Sequence, residues 1–252
     1  FTIYPILMVV FTSFKGKAES SYMSISLPKE WHFENYVTVL QKDFIQSLFN
    51  SVFITVISVL LIVTLAAFLS FIIVRRDTAG CRVIYKIMTL GIIAPFAAMP
   101  TIQLMQKLGI YGFRFGLCLV YSALYMPFTV MMFTSFIKGI PKELDEAAKL
   151  DGCSFFGIFW RVDLPLIRNG LIAITVLNLL WSWNDLLWPL IATSTDKMRV
   201  LSVAIATLNN SDGSQYQLLM AAGVLAVLPM LVIYAICQEY FMDGIMSSGV
   251  KG

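Results

Sequence analysis

Charge-free apolar runs alternate with short polar segments along this chain. Residues 1–14 end a first run, and residues 44–74 form a second, long enough for a tilted membrane span with an interfacial lead-in. Further runs cover 87–106, with Pro95 and Pro100 inside, then 115–137, 166–190 and 216–238. Arg168 and Asp185 stand near the two ends of the fifth run. The pattern predicts an all-α polytopic membrane protein with six transmembrane helices, the first of them truncated, in one domain over residues 1–252. Phe1 lies mid-run with neither Met nor a basic segment before it, so the natural N-terminus is expected upstream and a signal peptide is disfavoured.

The polar segments fall on alternating sides. Residues 15–43, 107–114 and 191–215 share one side, while 75–86, 138–165 and the tail from Glu239 share the other. Arg75, Arg76, Arg82 and Lys86 crowd the 75–86 segment, read as a loop, and this basic density places its side in the cytoplasm. Both termini are then cytoplasmic.

The most polar segment, 138–165, carries its own helical pattern. Pro141 suits a first helical position, and Glu143 and Asp145 suit the first turn, where the helix dipole favours acids. Leu144, Ala147 and Ala148 form a modest apolar face at i, i+3 and i+4. Gly152 can end this helix in a left-handed conformation, and Phe155, Phe156, Ile158, Phe159 and Trp160 make a second short apolar run before Leu164-Pro165 opens the next span. Such a helical pair suits either docking on a soluble partner or lying in the lipid interface.

Composition narrows the function. The chain is 58% hydrophobic and 13% charged, with mean hydropathy +0.80, against about 25% charged residues in soluble domains. A net charge of +3 without a large basic cluster gives no nucleic-acid surface. Cys81, Cys118, Cys153 and Cys237 are scattered and read as buried small hydrophobes, and a single His32 excludes a histidine metal cluster. No Walker A pattern, nucleophile elbow or paired intramembrane carboxylates occur, so the chain is expected to be no enzyme and to hold no cofactor. Few ionisable groups lie inside the spans, which disfavours an ion-coupled carrier.

Three further stretches carry alternatives. Trp31, Phe33 and Tyr36 form either an interfacial aromatic belt or part of a face for an external binding protein. Trp181, Trp183, Asn184 and Asp185 either anchor the fifth span at the interface or line a path for a polar, ring-faced solute such as a sugar. Asn178, one turn earlier, serves the same path or makes a helix–helix hydrogen bond. The Gly-rich end reads as a frayed terminus.

The spacing Glu146-Ala147-Ala148, three residues, Gly152, nine residues, Val162, one residue, Leu164-Pro165 resembles the EAA loop of bacterial ABC importer permeases, with Val162 where the family has Ile. Phe33-Glu34-Asn35-Tyr36, Asn50-Ser51 opening the second helix, the prolines of the third span and Leu108-Gly109 resemble carbohydrate-uptake permeases of the MalG type. The resemblance implies a type I importer permease fold in the bacterial cytoplasmic membrane. Its EAA loop, about 139–164, would couple to an ATPase dimer through Glu146, Ala147, Ala148, Gly152, Leu164 and Pro165. The tail, about 240–252, would reach that dimer through Gly249, Val250, Lys251 and Gly252. The implied partners are a second homologous permease, the ATPase dimer holding ATP and Mg, an extracytoplasmic solute-binding protein and a sugar. Glycerol phosphate or another polar solute is the alternative cargo, and a secondary carrier or membrane enzyme the alternative class.

Overall fold

A computed structural model describes residues 3–93, 97–193, 198–208 and 215–249, and every regular element among them is helical. The order is α1 (Ile3–Ser13), α2 (Lys17–Ser20), α3 (Glu34–Val39), a π-helical turn Leu40–Phe44, α4 (Ile45–Arg76), α5 (Ala79–Ile93), α6 (Ala98–Lys107) and α7 (Arg114–Lys138). There follow α8 (Lys142–Leu150), α9 (Phe155–Ile158), a second π-helical turn Phe159–Asp163, α10 (Leu164–Leu166), α11 (Arg168–Asn184), α12 (Leu187–Ala192), α13 (Leu201–Thr207) and α14 (Tyr216–Gly249).

The helices Ile45–Arg76, Arg114–Lys138 and Tyr216–Gln238 are each long and apolar enough to cross a membrane. A fourth span results if Phe155–Leu166 and Arg168–Asn184, bent by 79°, are taken together. α1, expected as a truncated first span, has 11 helical residues, about 17 Å at 1.5 Å per residue against a ~30 Å hydrocarbon core. The six-span expectation differs at two places. The third run is divided between α5 and α6, and Pro95 lies outside the described residues. The fifth run breaks at Asp185-Leu186, where Asp185 turns the chain and opens α12.

The basic loop 75–86 shrinks to two residues. Asp77 takes a left-handed φ of 38°, and the Thr78 hydroxyl accepts from the Cys81 N–H at 3.3 Å, so a new helix starts at once. Arg82 and Lys86 therefore stand on α5, not on a loop.

Contacts divide the chain into two units. One comprises Phe1–Ile54, Leu108–Leu117 and Trp183–Tyr234. Its core joins Val39, Phe44, Leu201, Leu218, Ala221 and Ala222. Neutral polar groups cross-link it: Asn50 Nδ2 donates to Arg199 O at 2.8 Å, and Ser51 Oγ accepts from the Leu201 N–H at 2.8 Å, satisfying an otherwise unpaired donor at the start of α13. Asn50 and Ser51 thus sit a turn inside α4 rather than opening it. Phe14, Trp31, Phe33 and Tyr36 cluster with centroids 5.1–6.2 Å apart, and Tyr36 OH meets Ser13 Oγ.

The other unit comprises Thr55–Lys107, Cys118–Ser182 and Ala235–Gly252. Phe71, Val130, Phe133, Ile137, Ile158, Phe159 and Ile174 build its core, and Ser70 Oγ donates to Val130 O. Gly170 lets α11 approach α7 so closely that a Cβ there would stand 2.6 Å from the Phe136 ring.

Candidate functional site

The segment between α7 and α11 is the most specific feature of the sequence, and its local geometry follows from its residues. α8 opens after Pro141, which precedes the first helical residue (φ −57°, ψ 135°) instead of occupying it. Glu143 and Asp145 lie in the first turn and Lys149 in the last, each complementing the helix dipole. Gly152 has φ +81°; its N–H donates to Lys149 O at 3.0 Å, and the Cys153 N–H donates to Ala148 O at 2.9 Å. This pair of bonds is a Schellman motif, and Ala148 and Cys153 pack into the same apolar cluster beside it. A Cβ on Gly152 would meet nothing within 4 Å, so the backbone conformation alone requires glycine here.

The apolar face read from Leu144, Ala147 and Ala148 is mostly left outward, and the inner face of α8 is made by Asp145 with Ala148. Asp145 and Ala148 are buried, whereas Leu144, Glu146 and Ala147 are exposed and Leu150 is 89% exposed. The reason is Arg75 at the end of α4. Its Nε lies 2.7 Å from Asp145 Oδ2, and its Nη2 donates to Asp163 Oδ1 at 2.7 Å. All three side chains are at most 8% exposed. One guanidinium thus ties α8, the π-helical turn Phe159–Asp163 and the end of a long apolar helix. Burial, and after it the neighbouring Asp163 carboxylate, pushes the Asp145 carboxyl up from its ordinary value, against the pull of Arg75 and Lys149. Asp145 Oδ1 has no hydrogen-bond partner.

Ser154 caps α9, accepting from the Gly157 N–H at 3.1 Å. The following aromatics clamp onto α4: Phe155 packs on Phe71 at 4.6 Å and Phe159 on Phe68 at 4.7 Å. Phe156 and Trp160 remain more than half exposed. Leu164 packs against the same core, while Pro165 is exposed on α10 just before the 79° bend. The coupling residues inferred from the sequence therefore divide. Glu146, Ala147, Gly152 and Pro165 face outward, and Ala148 and Leu164 hold the element in place.

The candidate path residues also divide. Asn178 is fully buried, with Nδ2 donating to Thr129 Oγ1 at 3.0 Å and to Ile174 O at 2.9 Å, which is a hydrogen bond between α11 and α7. Trp181 packs on Tyr125 and Phe128 of α7. Asp185 accepts from the N–H groups of Leu187 and Trp188 and so caps α12. Trp183, whose Nε1 donates to Ala226 O, and exposed Asn184 line a cavity of about 300 Å³ with Ser202 and Ile205 of α13 and Met230 of α14. Gly249 ends α14, and Val250, Lys251 and Gly252 lie outside the described residues. No group of three or more metal-ligating side chains exists among the described residues.

Long apolar helices with an outward-facing helical pair between two of them define a helical membrane component. Residues 74–246 match the family described as binding-protein-dependent transport system inner membrane component, and the chain belongs to that family. Its part in such a system is transport, not catalysis. The diacetylchitobiose uptake system permease protein NgcG of Streptomyces coelicolor is 35% identical, over 94% of this chain and 80% of its own. The arabinooligosaccharides transport system permease protein AraQ of Halalkalibacterium halodurans is 30% identical, over 99% and 91%. A chain of a bacterial ABC transporter that imports the acidic polysaccharide alginate shares the fold at TM-score 0.84 and 24% identity, over 95% of this chain and 91% of its own.

Proposed function

We propose that this chain is the membrane-spanning permease subunit of an ATP-driven importer that moves a sugar of the oligosaccharide class across the cytoplasmic membrane. It works by alternating access with a second, homologous permease, an ATPase dimer carrying ATP and Mg, and an extracytoplasmic solute-binding protein. The carrying observation is α8, held on its inner face by Arg75 while Glu146, Ala147 and Leu150 face outward. An exposed acid and small and apolar residues on a pinned helix are what a groove on a soluble motor can grip and push. The end bearing α8 faces the cytoplasm, with both termini. The relatives named for oligosaccharides support the cargo. On this chain, sugar contact falls to Trp183 and Asn184, which combine an aromatic face with a polar edge.

The test is uptake into proteoliposomes holding the purified assembly, with arabino-oligosaccharides, malto-oligosaccharides, diacetylchitobiose and glycerol phosphate offered alongside the binding protein. ATP-dependent accumulation of one oligosaccharide is expected. Accumulation of glycerol phosphate alone moves the cargo to polar phosphates, and uptake by this chain alone on an ion gradient defeats the importer reading.

A further inference from the structure

A second cavity, of about 390 Å³, opens where α4 ends, α5 begins and α7 runs into α8. It goes beyond the transport reading, because none of the outward-facing coupling residues lines it. Arg82 and Lys86 of α5, Lys138 of α7 and Lys142 of α8 border it, with Asp77 as its one acid. Arg82 Nε lies 4.0 Å from Asp77. Arg75 at its edge is already matched by Asp145 and Asp163. Among the described residues Lys86, Lys138 and Lys142 have no carboxylate within 4.0 Å. Arg82 and Lys86 stand four residues apart on one helix, where like charges repel. Lys138 is held over the Tyr85 ring, 5.2 Å from its centroid. The site therefore has a standing excess of positive charge.

Its place and its walls indicate the source of the missing anion. Arg75 and Lys138 lie in the last turns of two helices apolar enough to cross a membrane, so the cavity sits at the level where head groups lie. Ile73, Val74 and Ile140 give it an apolar side that a soluble phosphate has no use for. We infer that this cavity binds the phosphate of an anionic glycerophospholipid, with the lysines on the phosphate and the apolar side against the glycerol and upper acyl chain.

The assembled, delipidated transporter titrated with phosphatidylglycerol or phosphatidylcholine, with bound lipid counted by native mass spectrometry, tests this. Phosphatidylglycerol is expected to bind in preference. The combined Lys86→Gln, Lys138→Gln and Lys142→Gln variant is expected to bind it about a hundredfold more weakly, at roughly a factor of five per lysine. The same three positions changed to Arg should keep the preference, as should Lys17→Gln with Lys29→Gln and Lys107→Gln. If the triple Gln variant does not assemble, Lys86→Gln alone should show its roughly fivefold loss. Undiminished binding in the Gln variants overturns the site. Displacement of the lipid by millimolar inorganic phosphate assigns the cavity to a soluble anion and overturns the lipid reading. Binding seen only after the ATPase subunits are stripped away does so as well, by showing that a protein partner fills it.

Discussion

Each unit withdraws a basic side chain from water, and the two solve the problem differently. In the first, Lys15 is fully buried and its ammonium donates to Ser24 O, Ser24 Oγ and Ser26 Oγ at 2.7, 3.1 and 3.2 Å. All three protons are matched, and all three acceptors are neutral. In the second, Arg75 meets two carboxylates from two separate elements. Neutral acceptors close a local loop, since Lys15 and Ser26 are near in sequence. The ion triad instead spans residues 75, 145 and 163, with two carboxyl groups to one guanidinium. A desolvated ion pair gains little stability over an apolar replacement, but it is costly to break from one side. That asymmetry makes the triad a joint that ties α8 to α4 and resists the loss of any one member. The serine cage only shapes a loop.

The largest expected effect tests this directly. Arg75→Ala leaves two buried carboxylates facing each other, and loss of one partner from a buried ion pair typically costs about 3–5 kcal/mol. The assembly should lose thermal stability and stop coupling hydrolysis to uptake, measured as ATP turnover against sugar accumulation. Arg75→Met with Asp145→Leu and Asp163→Leu removes the charges together, and should restore stability far better than it restores coupling. Recovery of both would reduce the triad to a packing feature.

Backbone strain ranks next. Gly152→Val forces a β-branched residue to φ +81°, where a left-handed conformation costs about 1–2 kcal/mol for ordinary residues and more for branched ones. Gly152→Asn should be far milder, because Asn tolerates this region and the space is open. Coupling should follow φ tolerance, Gly above Asn above Val, with side-chain volume irrelevant. Equal loss for Asn and Val would show that the partner needs the bare glycine surface. In the other unit, Lys15→Met should cost no more than about 1 kcal/mol by thermal melting, since the freed serine groups lie near water and the stem is replaced in kind. A loss as large as that of Arg75→Ala would erase the contrast between the units.

What was legible in the sequence follows from the range of each signal. The apolar runs marked α4, α7 and α14 because a long charge-free stretch has few other uses, and Gly152 was readable because a helix stop is local. The basic loop was misread because two residues, Asp77 and Thr78, suffice to restart a helix, and charge density does not report backbone conformation. The buried face of α8 was not legible for a longer-range reason. Arg75 lies seventy residues before Asp145, so nothing in the local periodicity announces that an acid turns inward. Asp163, a lone carboxylate in an aromatic run, was the available hint. Asn178 was open to a path role or a helix–helix bond, and its amide makes the bond; Asp185, open to a path or an anchoring role, accepts from the first N–H groups of α12.

The smallest effect settles which carboxylate owns Arg75. The folded Asp145 carboxyl is raised above its ordinary 3.8, chiefly by burial and then by Asp163. A group that binds its proton more tightly when folded contributes stability that is complete below the unfolded value and is lost as pH rises through the folded one. Asp145→Asn removes that dependence. The melting temperature of the variant minus that of the parent should therefore climb as pH is raised from about 4 into the range above the folded Asp145 value, and level off beyond it. A rise shows that burial and Asp163 outweigh Arg75 at Asp145, so that Arg75 is held mainly by Asp163 and α8 is the weaker arm of the joint. A fall over the same window would mean that Arg75 stabilises the Asp145 anion more than burial and Asp163 oppose it. The joint would then hold α8 through its own ion pair with Arg75.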